Sequence, residues 1–157
     1  MTTYTIDRLE SLCETVPTLL RKISEADFSF KPTPEKWSKK EILGHLIDSA
    51  TNNHHRFIRG QFENVPVISY DQNKWNEFNY YQQIKVDQLI QFWTSYNLQL
   101  LELLKLISPT NLKKECNIGG QGNVKIESLF NDYVSHLEHH LGQIIGDEIR
   151  KTVYNIG

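Results

Sequence analysis

Apolar residues recur at intervals of three and four in four long segments of this 157-residue chain, the period of helices that bury one face. From Tyr4 to Ser24 the stripe is Ile6, Leu9, Leu12, Cys13, Val16, Leu19, Leu20 and Ile23. Pro17 lies inside it without a backbone N–H to give, which predicts a kink or a break there. Ser38 opens the second helix, with Glu41 three residues on to complete a capping box. Its stripe (Ile42, Leu43, Leu46, Ile47, Ala50, Phe57) runs to about Arg59, and Gly60 stands where a glycine cap belongs. The third helix spans Val86 to Ile107 and is stopped by Ser108-Pro109. The fourth starts near Ile126 and runs to about Arg150, burying Leu129, Phe130, Tyr133, Val134, Leu137, Leu141, Ile144, Ile145 and Ile149. Few segments read as strands. The expected fold is all-α, an up-down-type four-helix bundle forming one domain over residues 1–157.

The connections are less regular. Pro32 and Pro34 mark Glu25 to Trp37 as a link. Gln61 to Lys85 is a long crossover carrying Tyr70, Trp75, Phe78, Tyr80 and Tyr81. Those aromatics form either a lid over a site or a cover for the bundle's end. Gly119-Gly120-Gln121-Gly122 is a turn, and no Gly-Lys-Ser/Thr follows it to make a phosphate loop.

Net charge is −2 and the sequence pI is near 6.3, so no bulk field draws the chain to nucleic acid or to an acidic membrane. No apolar run approaches the ~20 residues that span a bilayer, and the polar start has no signal character. Cys13 and Cys116 make no CxxC pair or disulfide framework, which fits a cytoplasmic protein.

The chemistry concentrates in the fourth helix, where Asn131 to Ile145 reads NDYVSHLEHHLGQII. His136 and His140 stand four apart, about 400° around a helix, so both rings leave nearly the same face and can grip one ion. His45, mid-helix beside the apolar stripe of the second helix, is the best third ligand; His54 and His55 lie over two turns away. Three neutral imidazoles leave a position open on a divalent ion, the arrangement of a catalytic site. Water or a thiol there becomes more acidic. His139 stays outside the metal set. Asp48 is the candidate catalytic residue, placed to orient a ligand or take a proton. Gln143 and Asn52 are candidates to hydrogen-bond water or substrate. Hydrogen-bonded core histidines remain the bland alternative.

Lys36-Trp37-Ser38, Glu41, Gly44-His45-Leu46-Ile47-Asp48, Asn52 and Arg56-Phe57, followed by His136-Leu137-Glu138-His139-His140-Leu141-Gly142-Gln143-Ile144, together resemble the DinB-like, or YfiT-like, metal-dependent hydrolases. Tyr70-Asp71-Gln72 and Lys74-Trp75 fit the same pattern. The resemblance implies a four-helix bundle, commonly dimeric, with a divalent metal held at His45, His136 and His140. Zinc or nickel is the expected ion, although three imidazoles alone do not choose it. Relatives in the wider superfamily imply two chemistries on a small-molecule substrate: hydrolysis by water, or transfer and isomerisation with a low-molecular-weight thiol co-substrate. A bundle that binds a small molecule without transforming it is the competing expectation.

Overall fold

The computed structural model describes residues 3–120 and 122–152. The four stripes form four long helices: α1 (Thr3–Leu20), α3 (Lys39–Arg59), α5 (Val86–Leu106) and α7 (Ile126–Ile145). The capping box is present, with the Ser38 hydroxyl accepting from the Glu41 amide and the Glu41 carboxylate accepting from the Ser38 amide. Gly60 caps α3 in the right-handed region, φ −62°. Its lack of a side chain therefore serves space: a Cβ there would lie 2.6 Å from Cys116 Sγ and 2.8 Å from the Arg56 carbonyl.

Two helix expectations are corrected. α1 runs unbroken through Pro17 and stops at Leu20, short of Ser24. Pro17 gives up the bond to the Cys13 carbonyl and crowds it with its ring, but it is buried and only Thr18, Leu19 and Leu20 follow it in the helix, so the helix stops within a turn of it. α7 ends at Ile145, because Gly146 takes φ +62°, and the chain restarts as the short α8 (Glu148–Lys151).

The connections hold more structure than their composition suggests. Glu25–Ser29 is a short helix, α2, inside the first link. Its Glu25 carboxylate accepts from the Val86 amide at 3.1 Å and pairs with buried Lys40. That one side chain caps α5, whose own N-cap residue Lys85 makes no cap bond, and ties it to α3. The crossover contains α4 (Gln72–Phe78) and a 3-10 turn, Tyr81–Gln83. After α5, α6 (Pro109–Leu112) leads into a two-stranded antiparallel hairpin, β1 (Glu115–Asn117) and β2 (Asn123–Lys125). Gln121 of the glycine turn lies outside the described residues.

Around the bundle, α3 and α1 each pack against both α5 and α7. The successive long helices α1 and α3 thus occupy opposite corners. Ion pairs Lys105–Glu10 and Arg21–Asp87 set α1 and α5 antiparallel. Thr5 to Asn131 and Arg8 to Glu138 set α1 and α7 parallel. Lys40 reaches the Gln82 carbonyl near the start of α5, and His54 meets Tyr96 further along, so α3 and α5 run the same way. Parallel neighbours cannot be joined by a tight turn, and residues 61–85 supply the return length. The core filled by these helices includes Trp93, Phe57, Phe130 and Tyr133, all at most 2% exposed. No helix among the described residues is long and apolar enough to cross a membrane.

Candidate functional site

Antiparallel packing of α3 on α7 brings the first third of α3 against the second half of α7. His45 therefore faces His136 and His140 across the seam. Their ring centroids lie 4.9 and 4.8 Å from that of His45, and 4.5 Å from each other. One nitrogen from each ring falls within 4.8 Å of the other two. The Nε2 atoms of His45 and His136 are 3.0 Å apart. Two imidazoles bound to one zinc at about 2.0–2.1 Å each would hold their nitrogens roughly 3 Å apart, the spacing the His45–His136 pair has, and a set of three imidazole donors suits a divalent ion.

Burial keeps these rings neutral, with their lone pairs available. It lowers the pKa of His45 to about 3 and of His136 to about 4, with the neighbouring rings adding to both shifts. Half-buried His140 is also lowered by burial, against an opposing contribution from Gln143. The Nδ1 atoms of His45 and His136 have no hydrogen-bond partner, so packing sets these ring positions. The Trp37 ring lies 5.0 Å from that of His45. For His140 a side chain does this work. Gln143 Oε1 lies 2.8 Å from His140 Nδ1, and Gln143 Nε2 lies 3.3 Å from His139 Nε2. Read as an acceptor at its oxygen and a donor at its nitrogen, Gln143 places the His140 proton on Nδ1 and frees Nε2.

Asp48 lies one turn after His45 and is 1% exposed. Its Oδ1 accepts from the Tyr81 hydroxyl at 2.5 Å and from Asn79 Nδ2 at 2.9 Å, while Oδ2 has no partner. Burial pushes its pKa up to about 6, opposed by the Tyr81 hydroxyl. Among the described hydrogen bonds none joins Asp48 to a histidine. Asn52 is spent within its own helix, donating to the Asp48 carbonyl.

The aromatic crossover divides. Tyr81 is buried, and its ring lies where a Cβ on Gly44 would stand, 2.1 Å from the ring atom Cδ2. Tyr70 is half-buried and joins Ser49, Asn53, Arg56 and His136 around a cavity of about 200 Å³. Phe78 and Tyr80 are exposed. Sequence spacing named Gln143 for water or substrate and Tyr81 among the crossover aromatics, but not their partners, His140 and Asp48. Gly44 in a helix interior, beside His45, was the available sign that something packs closely there.

The architecture and the cluster define a class: a bundle of four long helices with three imidazoles converging from two of them. The chain belongs to the DinB superfamily, whose pattern matches residues 8–144. A Bacillus mycoides protein named "putative metal-dependent hydrolase" is 28% identical over 144 residues, covering 88% of this chain and 83% of its own. YfiT from Bacillus subtilis, described as a "probable metal-dependent hydrolase with an unusual four-helix bundle topology", superposes with TM-score 0.79 at 19% identity, over 98% of this chain and 90% of that one. The mycothiol-dependent maleylpyruvate isomerase shares the fold at TM-score 0.73 and 13% identity, over 98% of this chain and 70% of that one.

Proposed function

We propose that this chain is a metal-dependent enzyme acting on a small molecule, with His45, His136 and His140 as the ligands of one divalent ion, zinc or nickel. The observation that carries the proposal is the third ring. A hydrogen-bonded core pair would account for His45 and His136 alone, whereas His140 brings a further nitrogen within 4.8 Å of theirs and has its other nitrogen on Gln143. An ion with three imidazole ligands acidifies a water or thiol and polarises a substrate oxygen. The protein's own part is to keep the three rings neutral by burial and fixed by Trp37 and Gln143. Asp48 serves in this proposal as the proton acceptor: its Oδ2 is free and its affinity for a proton is raised toward neutrality.

Hydrolysis is the first form of the proposal, since the sequence relatives carry that name. Thiol transfer is the second, because a thiol-dependent isomerase is built on the same fold. A reducing cytoplasmic setting goes with both, given that Cys13 and Cys116 are free and buried. A homodimer is proposed as well, and exposed Phe92, Phe78 and Phe62 offer apolar surface for it.

Metal content of protein purified without a metal-binding tag tests the centre. Near one equivalent in the parent and almost none in a His136→Ala, His140→Ala double variant is expected. No metal in the parent after incubation with zinc, nickel and manganese would defeat the proposal. Turnover of esters and amides with water alone, against turnover only with an added thiol, then separates its two forms.

A further inference from the structure

The cavity beside His136 contains a buried cation without a counter-ion. Arg56 is 8% exposed, and burial lowers its affinity for its proton. Its guanidinium donates from Nε and Nη2 to the Ile68 carbonyl at 3.1 and 3.0 Å, and from Nη1 to Asn53 Oδ1 at 3.2 Å. These are neutral acceptors. No described carboxylate lies within ion-pair distance of Arg56, although buried Arg8 and Lys40 each have one. Taking a charge out of water costs several kcal/mol, so buried charges are normally paired. Three of five N–H groups are occupied, which leaves one on each of Nη1 and Nη2. Two such donors on a planar guanidinium suit a carboxylate.

Arg56 opens onto space. Together with Ser49, Asn53, Tyr70 and Tyr133 it lines the 200 Å³ cavity that His136 also lines. That volume equals roughly six or seven waters at about 30 Å³ each, room for the acid end of a small molecule. Among the described residues no lysine and no second arginine lines it, and Asp132, the carboxylate on that lining, is exposed. A single positive charge balances a carboxylate and leaves a phosphate dianion uncompensated.

We propose that this cavity is a carboxylate subsite, in which Arg56 is the missing partner of a small carboxylic acid whose reactive end reaches the three-histidine cluster. The subsite deepens the metal-dependent reading and rests on it only for what becomes of the bound acid. Asn53 is a positioning residue: its amide donates to the Ser49 carbonyl at 3.0 Å while its oxygen holds Nη1. Tyr70 covers the guanidinium, its ring centroid 6.0 Å from the Arg56 carbon Cζ.

Butyrate and butyramide have nearly the same shape and differ in charge, so titrating each into the full chain, metal-loaded and chelated, reads the subsite directly. Butyrate is expected to bind about tenfold more tightly than the amide in both forms. Arg56→Gln removes that preference while keeping the parent's metal content, and Arg56→Lys keeps part of it. Asp132→Asn tightens butyrate about twofold and leaves butyramide unchanged. Equal binding of acid and amide to the parent overturns the subsite. So does a preference that survives Arg56→Gln. A preference that disappears on chelation places the acid on the ion, which overturns the subsite and leaves the metal centre standing. If Arg56→Gln fails to fold, for want of its bonds to Ile68, the acid–amide comparison in chelated parent and Asp132→Asn decides the matter.

Discussion

The α1–α5 seam and the α3–α7 seam are built from helices of similar length and pattern and both bury apolar side chains, such as Phe57 against Phe130 in the second, yet α3 adds a run of buried polar ones. Leu9, Leu12, Val16 and Leu20 of α1 meet a set that includes Trp93, Leu100, Leu101 and Leu104 of α5, and all are at most 1% exposed. The charges of that seam sit outside it, as in Lys105–Glu10. α3 instead buries His45, Asp48, Ser49, Asn52, Asn53 and Arg56. Among the described residues, three of the five buried polar atoms without a partner belong to His45, Asp48 and His136. Each such atom costs on the order of 1–3 kcal/mol. The other two are Arg8 Nη1 on α1 and Trp93 Nε1 on α5, so both halves carry such cost and it is heavier where chemistry is concentrated.

The sharpest way to break this contrast is to delete from each seam. Leu104→Ala should cost about 3–5 kcal/mol in denaturant unfolding and leave metal uptake unchanged. His45→Ala in chelated protein should cost less, about 1 kcal/mol, because it also removes a buried nitrogen without a partner. Equal losses would mean that the histidine seam is ordinary core. A second test uses acid. The Asp48 pKa rises from 3.8 in the unfolded chain to about 6 in the folded one, so between these values the folded state holds the proton more firmly. Its stabilising contribution is full below pH 3.8 and is lost as pH rises through 6. Relative to Asp48→Asn, chelated parent should lose roughly 2–3 kcal/mol between pH 4 and pH 7. A constant difference across that range would place the carboxyl in a far wetter setting.

The apolar seam was the legible half. Periodicity located four long helices, the Ser38 capping box and the start of α7 at Ile126, because each follows from bonds among residues a few places apart. His45 could be joined to His136 and His140 because metal chemistry links distant residues through a common partner. Direction and corner order were hidden. They depend on contacts such as Arg8 with Glu138 and Thr5 with Asn131, whose partners carry no local signature. Pro17 misled for a related reason: its cost shows as a helix that ends three residues later, not as a kink, and where the helix ends is set by packing. The Arg56 cavity was invisible for the same reason, since an arginine in a helix reads as surface until the Ile68 carbonyl and Tyr70 are brought over it.

Gly44→Ala sharpens the comparison at one atom. Alanine favours a helix interior over glycine by about 1 kcal/mol, so on an open face the change would stabilise. Here the new Cβ would lie 2.1 Å from the Tyr81 ring. The ring must move, and its hydroxyl leaves Asp48. Overpacking costs about 1–3 kcal/mol and the lost bond about 1 more, so a net loss of about 2 kcal/mol is expected in thermal or denaturant unfolding. A gain in stability would show that the polar seam yields as easily as a solvent-facing surface.

The smallest effect is expected at Gln143, and it distinguishes a supported ligand from a merely packed one. Gln143 is exposed, so Gln143→Ala removes almost no buried surface and should leave unfolding within about 0.5 kcal/mol of the parent. What it removes is the acceptor for the His140 Nδ1 proton. Without that acceptor the ring can turn or exchange its tautomer, which raises the cost of presenting Nε2 to an ion. Loss of such an outer partner weakens metal affinity by about 10-fold, measurable by competition with a chelator of known strength. His45 and His136, whose Nδ1 atoms have no protein partner, have no equivalent group to delete. Unchanged affinity in Gln143→Ala would mean that all three rings are held by packing alone, and the difference between the two seams would then lie in which atoms are buried and not in how they are held.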